Sequence, residues 1–159
     1  MRLDTPAVTD AEIYGEHAAA LVRFATVLVG PNDAADVVSA AVLRVISSAG
    51  WASVSNHRSY LHQAVANEAH NFRRGETRRK HRETRVPVPR ATYPQEVHPE
   101  VRAAVARLSV RQRATVYLAY WEDMTDHMIA AYLGISAGSV RRHLARARHH
   151  LRRALNEDR

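Results

Sequence analysis

The chain has 159 residues, 46% of them apolar, and a formal charge of +7. That is enough apolar material for one medium core or two small ones, and the absence of Cys excludes disulfide frameworks, thiol catalysis and Cys-based zinc sites. No apolar run approaches the ~20 residues of a membrane span, and the opening MRLDTPAVTDAE lacks the basic-then-apolar order of a signal peptide, so no membrane insertion and a cytoplasmic location are expected.

The first helix is expected to start at the capping box Thr9-x-x-Glu12, to bury Ile13, Leu21, Phe24, Ala25 and Leu28, and to end at Gly30-Pro31. Asn32 or Asp33 is the expected cap of a second helix whose inward set runs from Ala34 through Val37, Val38, Ala41, Val42 and Val45 to Ile46. Its outer side is expected to hold Asp33, Asp36, Ser39, Ala40 and Leu43. After the loop 47–57, Ser55 or Asn56 caps a third helix that carries Tyr60, Leu61, Ala64, Val65 and Phe72 inward and runs into a basic tract through Arg85. Residues 86–99 contain Pro87, Pro89, Pro94 and Pro99 and read as a semi-rigid linker. A fourth helix opens at Pro99, a fifth at the capping box Ser109-x-x-Gln112, a sixth behind Thr125 and a seventh behind Ser136.

No segment alternates with strand period, so the fold class is all-α with two small helical domains. Residues 1–85 form an N-terminal three- to four-helix bundle, 86–98 a linker, and 99–159 a four-helix domain with a helix-turn-helix. In the last helix Val140, Leu144, Ala147, Leu151 and Leu155 recur at helical spacing, while Arg141, Arg142, Arg146, Arg148, Arg152 and Arg153 occupy the other faces. Such a helix docks by one side and offers donors on the other, as a duplex groove demands. The charge is also uneven: residues 1–70 carry four Arg against seven acids, a net of −3, and residues 71–159 carry a net of +10. This asymmetry points to a polyanionic partner.

Ten His raise the question of a metal, but there is no His-Glu-x-x-His, and His143, His149 and His150 stand among arginines whose field opposes a divalent cation. The six glycines form no phosphate-binding cluster, and Asp33 and Asp36 lack an acid/base companion pattern. No metal, no cofactor and no enzymatic activity are therefore expected.

The stretch from Leu108 to Leu155 resembles the promoter-reading domain of bacterial RNA polymerase sigma factors of the extracytoplasmic-function group, of actinobacterial type. The family's Leu-Pro-x-x-x-Arg start is matched by Leu108 to Arg113, its Ile-Ala-x-x-Leu-Gly core by Ile129 to Gly134, and its Gly-Thr-Val helix by Gly138 to Arg148. Gly30 to Ser39 is similar to the family's core-binding segment and Tyr60 to Arg73 to its Tyr-Leu-x-x-x-Val-x-Asn helix, so the likeness spans about residues 12–155.

That resemblance implies a factor that binds core RNA polymerase at its clamp helices and flap, recognises duplex −35 DNA and opens the −10 element as single strands. It also implies a linker passing near the polymerase active site and the possibility of an anti-sigma partner. By position, Asp36, Val38, Ser39 and Arg44 would meet polymerase. Trp51, Asn56, Asn67, Asn71, Arg73 and Arg74 would meet −10 DNA, with Trp51 stacking on an unpaired base. Ser136, Gly138, Ser139, Arg141, Arg142, His143 and Arg146 would meet −35 DNA. On the residues alone Trp51 is equally a core side chain. Two other functions stay open: a conventional helix-turn-helix regulator acting as a dimer without polymerase, and a sigma-like interaction protein. The latter is kept by Ala35 and Ser39, which stand where the family usually has an acid and Gln.

Overall fold

The computed structural model describes residues 9–75, 89 and 98–157, which are helical apart from short connections. The helices are α1 (Asp10–Val29), α2 (Pro31–Ile46), α3 (His57–Arg73), α4 (Pro99–Ala106), α5 (Val110–Tyr120), α6 (Asp126–Leu133) and α7 (Ala137–Glu157), with a 3-10 turn at Trp51–Ser53. Residues 76–85 of the basic tract and most of the linker lie outside the described residues.

Local chemistry sets most of the boundaries. Thr9 Oγ1 accepts from Glu12 N at 3.3 Å while Thr9 N donates to Glu12 Oε2 at 2.7 Å, the reciprocal capping expected for α1. Ser109 and Gln112 do the same for α5, Asn56 caps α3 through Ser59 N, and Thr125 caps α6 through Met128 N. The start of α2 differs from expectation: the cap is Gly30, at φ 93°, and Asn32 and Asp33 already lie within the first turn. Gly30 can adopt this left-handed backbone, and Pro31 at the first helical position brings a preset φ and no orphan N–H.

In the N-terminal half, α1, α2 and α3 pack on one another around Leu21, Phe24, Leu28, Val37, Val42, Leu61 and Val65. Burying each large apolar side chain contributes roughly 1.5–3 kcal/mol before entropy. Because α2 is held by both α1 and α3, more than half of its circumference is inside, and Ser39 and Ala40 are buried with Val38 rather than outward. In the C-terminal half α7 packs on α4, α5 and α6 through Val140, Leu144 and Ala147, with Leu151 and Leu155 half-buried.

The two halves pack against each other and share one continuous buried cluster that runs from Leu21 to Leu144. Helix α3 is the hub, touching α1 and α2 on one side and α5 and α6 on the other, while α1 also meets α5. Across this seam the Tyr117 ring lies 5.5 Å from Phe24 and the Tyr132 ring 5.1 Å from His62, which itself packs 5.3 Å from Phe24. Polar contacts cross it too: Arg58 Nη2 donates to Glu122 Oε2 at 3.0 Å, and Arg113 Nη1 to the Val27 carbonyl at 3.4 Å. Gly134 ends α6 at φ 65°, and a Cβ there would collide with the Gln63 amide of α3. The positive φ is what constrains the position, since the Gln63 amide ends a flexible side chain that can move aside.

His62 is 3% exposed, and its Nδ1 lies 2.9 Å from the Arg58 carbonyl, so the neutral ring carries its proton on Nδ1. Burial, reinforced by the Arg58 charge and offset in part by that hydrogen bond, holds its pKa down to about 4. The unfolded chain, at about 6.5, therefore binds the proton first. The contribution of neutral His62 is fully present above pH ~6.5, and up to about 3 kcal/mol is lost as pH falls towards 4. Denaturant unfolding at about pH 7.5 and about pH 4.5 is expected to show this loss, and His62→Phe to flatten it; equal slopes in both proteins would disprove the assignment.

Candidate nucleic-acid interface

The turn between α6 and α7 presents the start of α7 to solvent. Ser136 Oγ accepts from Ser139 N at 3.1 Å and shares a 2.9 Å hydroxyl contact with Ser139, so both hydroxyls serve first as the cap of α7. Gly138 is exposed and carries no side chain, which leaves the helix start bare for a close backbone or phosphate approach. Beyond it, Ser139, Arg142, His143 and Arg146 fall at helical spacings of three and four on one outward face, with Arg141 beside them. The arginines are exposed and the opposite face is locked into the core by Val140, Leu144 and Ala147. The structure thus brings all seven of the predicted −35 residues to one end and one side of α7.

His143 sits half-buried in this field. Burial first, then Arg111, Arg146 and Arg142, hold its pKa below the usual histidine value. It is therefore a neutral imidazole with one donor and one acceptor, suited to a base edge rather than to a phosphate. Farther along, Arg148 is drawn aside, its Nε donating to the Tyr120 hydroxyl at 2.8 Å.

A second polar surface lies on α3. Asn67 and Asn71 follow Gln63 at four-residue intervals, and Arg73 and Arg74 end the helix in solvent. Asn56 is exposed, with its side-chain oxygen committed to capping Ser59 N. Between α2 and α3 a cleft of about 300 Å³ is lined by Arg44, Ser48, Tyr60, Gln63 and Asn67. Its size matches the small end of ligand-binding clefts. Tyr60 and Gln63 were not among the sequence candidates; the signal was available in the Gln63-Asn67-Asn71 spacing, but the cleft exists only because α2 and α3 face each other.

Three predicted contacts do not survive. Trp51 is 6% exposed, its Nε1 donates to Asp10 Oδ1 at 2.7 Å, and its ring packs edge-on against His57 at 4.7 Å. A base cannot stack on a ring already enclosed. Val38 is 0% and Ser39 3% exposed, so neither presents a surface to polymerase. Of the predicted polymerase contacts, Asp36 remains half-buried on the rim and Arg44 exposed. Arg44 is not simply a surface cation: its Nη1 lies 2.6 Å from Oε2 of the fully buried Glu68. The contact is a close ion pair that ties α2 to α3.

Among the described residues no group of His, Asp and Glu could hold a metal ion, and no helix is long and apolar enough to cross a membrane.

Known proteins share this arrangement. Residues 98–151 match the family model for sigma-70, region 4, the part that contains α4 to α7 through Leu151. Two RNA polymerase sigma-E factors are similar over most of their length. That of Streptomyces antibioticus is 30% identical over 79% of this chain and 72% of the relative, and that of Streptomyces avermitilis 31% identical over 86% and 79%. The chain belongs to the bacterial RNA polymerase sigma-factor family. Within it, the chain falls in the extracytoplasmic-function group, a class of regulatory factors. The fold agrees: the sigma factor RpoE of Bartonella quintana, solved with the anti-sigma factor NepR, superposes with a TM-score of 0.65 at 23% identity, over 94% of this chain and 99% of that one. As a sigma factor the protein binds core RNA polymerase and promoter DNA and directs promoter-specific initiation, which leaves the reading as a polymerase-independent regulator without support.

The placement of Trp51 yields a sharp test. Trp51→Ala is expected to cost about 3–5 kcal/mol of unfolding free energy by emptying a core site. Trp51→Leu, which keeps apolar bulk but has no stacking face, should cost about 2–4 kcal/mol for the lost volume and the lost bond to Asp10 and leave promoter opening intact. A folded Trp51→Leu protein that binds duplex DNA but no longer opens it would restore the stacking role.

Proposed function

We propose that promoter recognition is divided between the two halves, with residues 1–85 binding core polymerase and the −10 element, 99–159 reading the −35 element, and 86–98 joining them. The observation that carries this reading is the outward face of α7, where Arg142, His143 and Arg146 project opposite a face buried by Val140, Leu144 and Ala147. That segregation fixes the helix to the body while leaving donors free for a major groove. Ser136, Gly138 and Ser139 bring the backbone start of α7 to the phosphates, and Arg141 adds a flanking phosphate contact.

On the other half the −10 element is taken by Asn67, Asn71, Arg73 and Arg74, with Asn56 at the start of α3. The cleft beside Tyr60 and Gln63 takes the place first assigned to Trp51. An extruded base costs a few kcal/mol, and polar walls such as Gln63 and Asn67 offset that by hydrogen bonding to its edge. Polymerase is met by Asp36 and Arg44 on α2. An anti-sigma partner and action in the cytoplasm belong to the same reading; they are supported by the Bartonella quintana relative, solved with such a partner, and by the family's role on RNA polymerase.

Reconstitution with core polymerase on a promoter with −35 and −10 elements tests the scheme. Arg146→Ala is expected to weaken −35 binding by about 1–3 kcal/mol if it reads a base, with relaxed specificity at one position. A uniform loss with a shallower salt dependence would assign it to phosphate instead. Asn67→Ala should slow opening on a duplex promoter and spare binding to isolated −35 duplex; equal loss in both assays would remove Asn67 from the −10 site. For Arg44, Lys is the informative replacement, since Ala would strand the buried Glu68 carboxylate and confound polymerase binding with folding.

A further inference from the structure

We propose that buried Glu68 is a positioning residue for Arg44, holding its guanidinium as a forked donor in the cleft between α2 and α3, where it selects an extruded base that presents two adjacent acceptors. The proposal rests on the −10 reading of α3 given above.

Glu68 is 1% exposed on α3, and its Oε2 lies 2.6 Å from Nη1 of Arg44 on α2, whose own side chain is 55% exposed. A carboxylate taken out of water needs a close cation to offset its desolvation. Even then the pair adds little stability over apolar side chains of the same volume. Helices α2 and α3 already pack on each other in the core that holds Val42, Val45, Leu61 and Val65. What the pair adds is the fixing of one long side chain. The entropy of freezing the Arg44 rotamers is lost on folding and not when a ligand arrives, which is how preorganisation favours binding.

That side chain is fixed on the wall of a cleft. Tyr60, Gln63 and Asn67 line the same cleft from α3 at spacings of three and four, which is one helical face. Ser48 stands on the α2 side, with its hydroxyl donating to the Val45 carbonyl at 2.7 Å. Among the described residues that line the cleft only Arg44 is charged. Gln63 and Asn67 each pair a donor with an acceptor and fit many base edges by turning the amide over. Arg44 has five donors and no acceptor, in a plane that the pairing with Glu68 holds still. It is therefore the group that discriminates.

Glu68 also decides which atoms Arg44 can seek. Its negative charge lies against the guanidinium and offsets the field that would draw a phosphate, while the directions of the remaining N–H groups are kept. Two parallel N–H bonds suit guanine along O6 and N7, or cytosine along O2 and N3. Adenine sets its amino group beside its ring acceptors, and thymine sets N3–H between its carbonyls. Either leaves an N–H of Arg44 facing another donor, and an unmet donor in a closed site is what rejects a ligand. This contact comes in addition to the place of Arg44 on the polymerase rim.

The full chain assembled with core polymerase is to be presented with forked −10 duplexes. Their unpaired non-template strand carries each of the four bases at each −10 position in turn. The native holoenzyme is expected to bind best, at one position, with guanine or cytosine. Glu68→Leu keeps the site filled and releases Arg44; its unfolding midpoint is expected at or above the native one, and the base preference to fall about three- to tenfold. The preference is a ratio measured on assembled holoenzyme, so a change in core affinity does not move it. A folded Glu68→Leu protein that keeps the native preference would overturn the proposal, as would a native preference for adenine or thymine. Should Glu68→Leu not fold, Arg44→Lys answers, because it keeps a cation for Glu68 and replaces the fork with a single ammonium. It is expected to lose the preference to the same extent, and retention would overturn the proposal. A native holoenzyme that binds all four bases equally at every position would instead overturn the −10 assignment itself.

Discussion

Helix α3 has to satisfy two sets of neighbours at once. Leu61, Val65 and Ala69 are buried with α1 and α2 in the N-terminal core, while His62 turns towards the C-terminal half to pack beneath Tyr132. A buried histidine is tolerable only if it is neutral and its ring nitrogen is bonded, and the Arg58 carbonyl supplies that bond. The rest of the arrangement follows from this double packing. It sets how near Gln63 comes to Gly134, where Glu122 meets Arg58, and how much of the Asn67 face is left to solvent.

The same economy governs the charged surfaces. On α7 the apolar stripe is narrow and the cations lie outside it, so the helix is seated by Val140, Leu144 and Ala147 while Arg141, Arg142 and Arg146 stay exposed. On α2 the opposite holds. Burial on two sides consumes Val38 and Ser39, and even exposed Arg44 is committed to a buried carboxylate. In the proposed division of contacts, DNA meets a prepared surface on α7 and polymerase a much narrower rim around Asp36 and Arg44.

Local signals in the sequence carried far. The capping boxes at Thr9 and Ser109, the caps at Asn56 and Thr125, and the Gly134 turn act within a few residues, so their physics is complete in a short window. The stripe Val140, Leu144 and Ala147 is likewise a property of one helix, and it suffices to put Arg142, His143 and Arg146 on the outward side of α7. Gly30 shows the limit of such signals: Asn32 and Asp33 are better capping types, yet Pro31 fixes the helix start one step earlier.

What depended on distant partners was decided only by the tertiary structure. Trp51 reads equally as a platform or a core residue until Asp10, 41 positions away, takes its indole N–H. Ser39 looks outward on a helical projection because one apolar face was assumed, whereas α2 packs against two helices. Likewise, the proline-rich connection separates two helical domains in the sequence without saying how they meet, and the contacts among Phe24, His62, Tyr117 and Tyr132 pack them over one buried cluster. Periodicity states which residues of a helix share a face; it does not state how many faces will find a neighbour. The sequence by itself therefore determined the helices, most of their caps, the family and the outward cationic face of α7. The tertiary structure decided which candidates remain accessible and that the two halves close on each other, because both depend on packing between segments far apart in the chain.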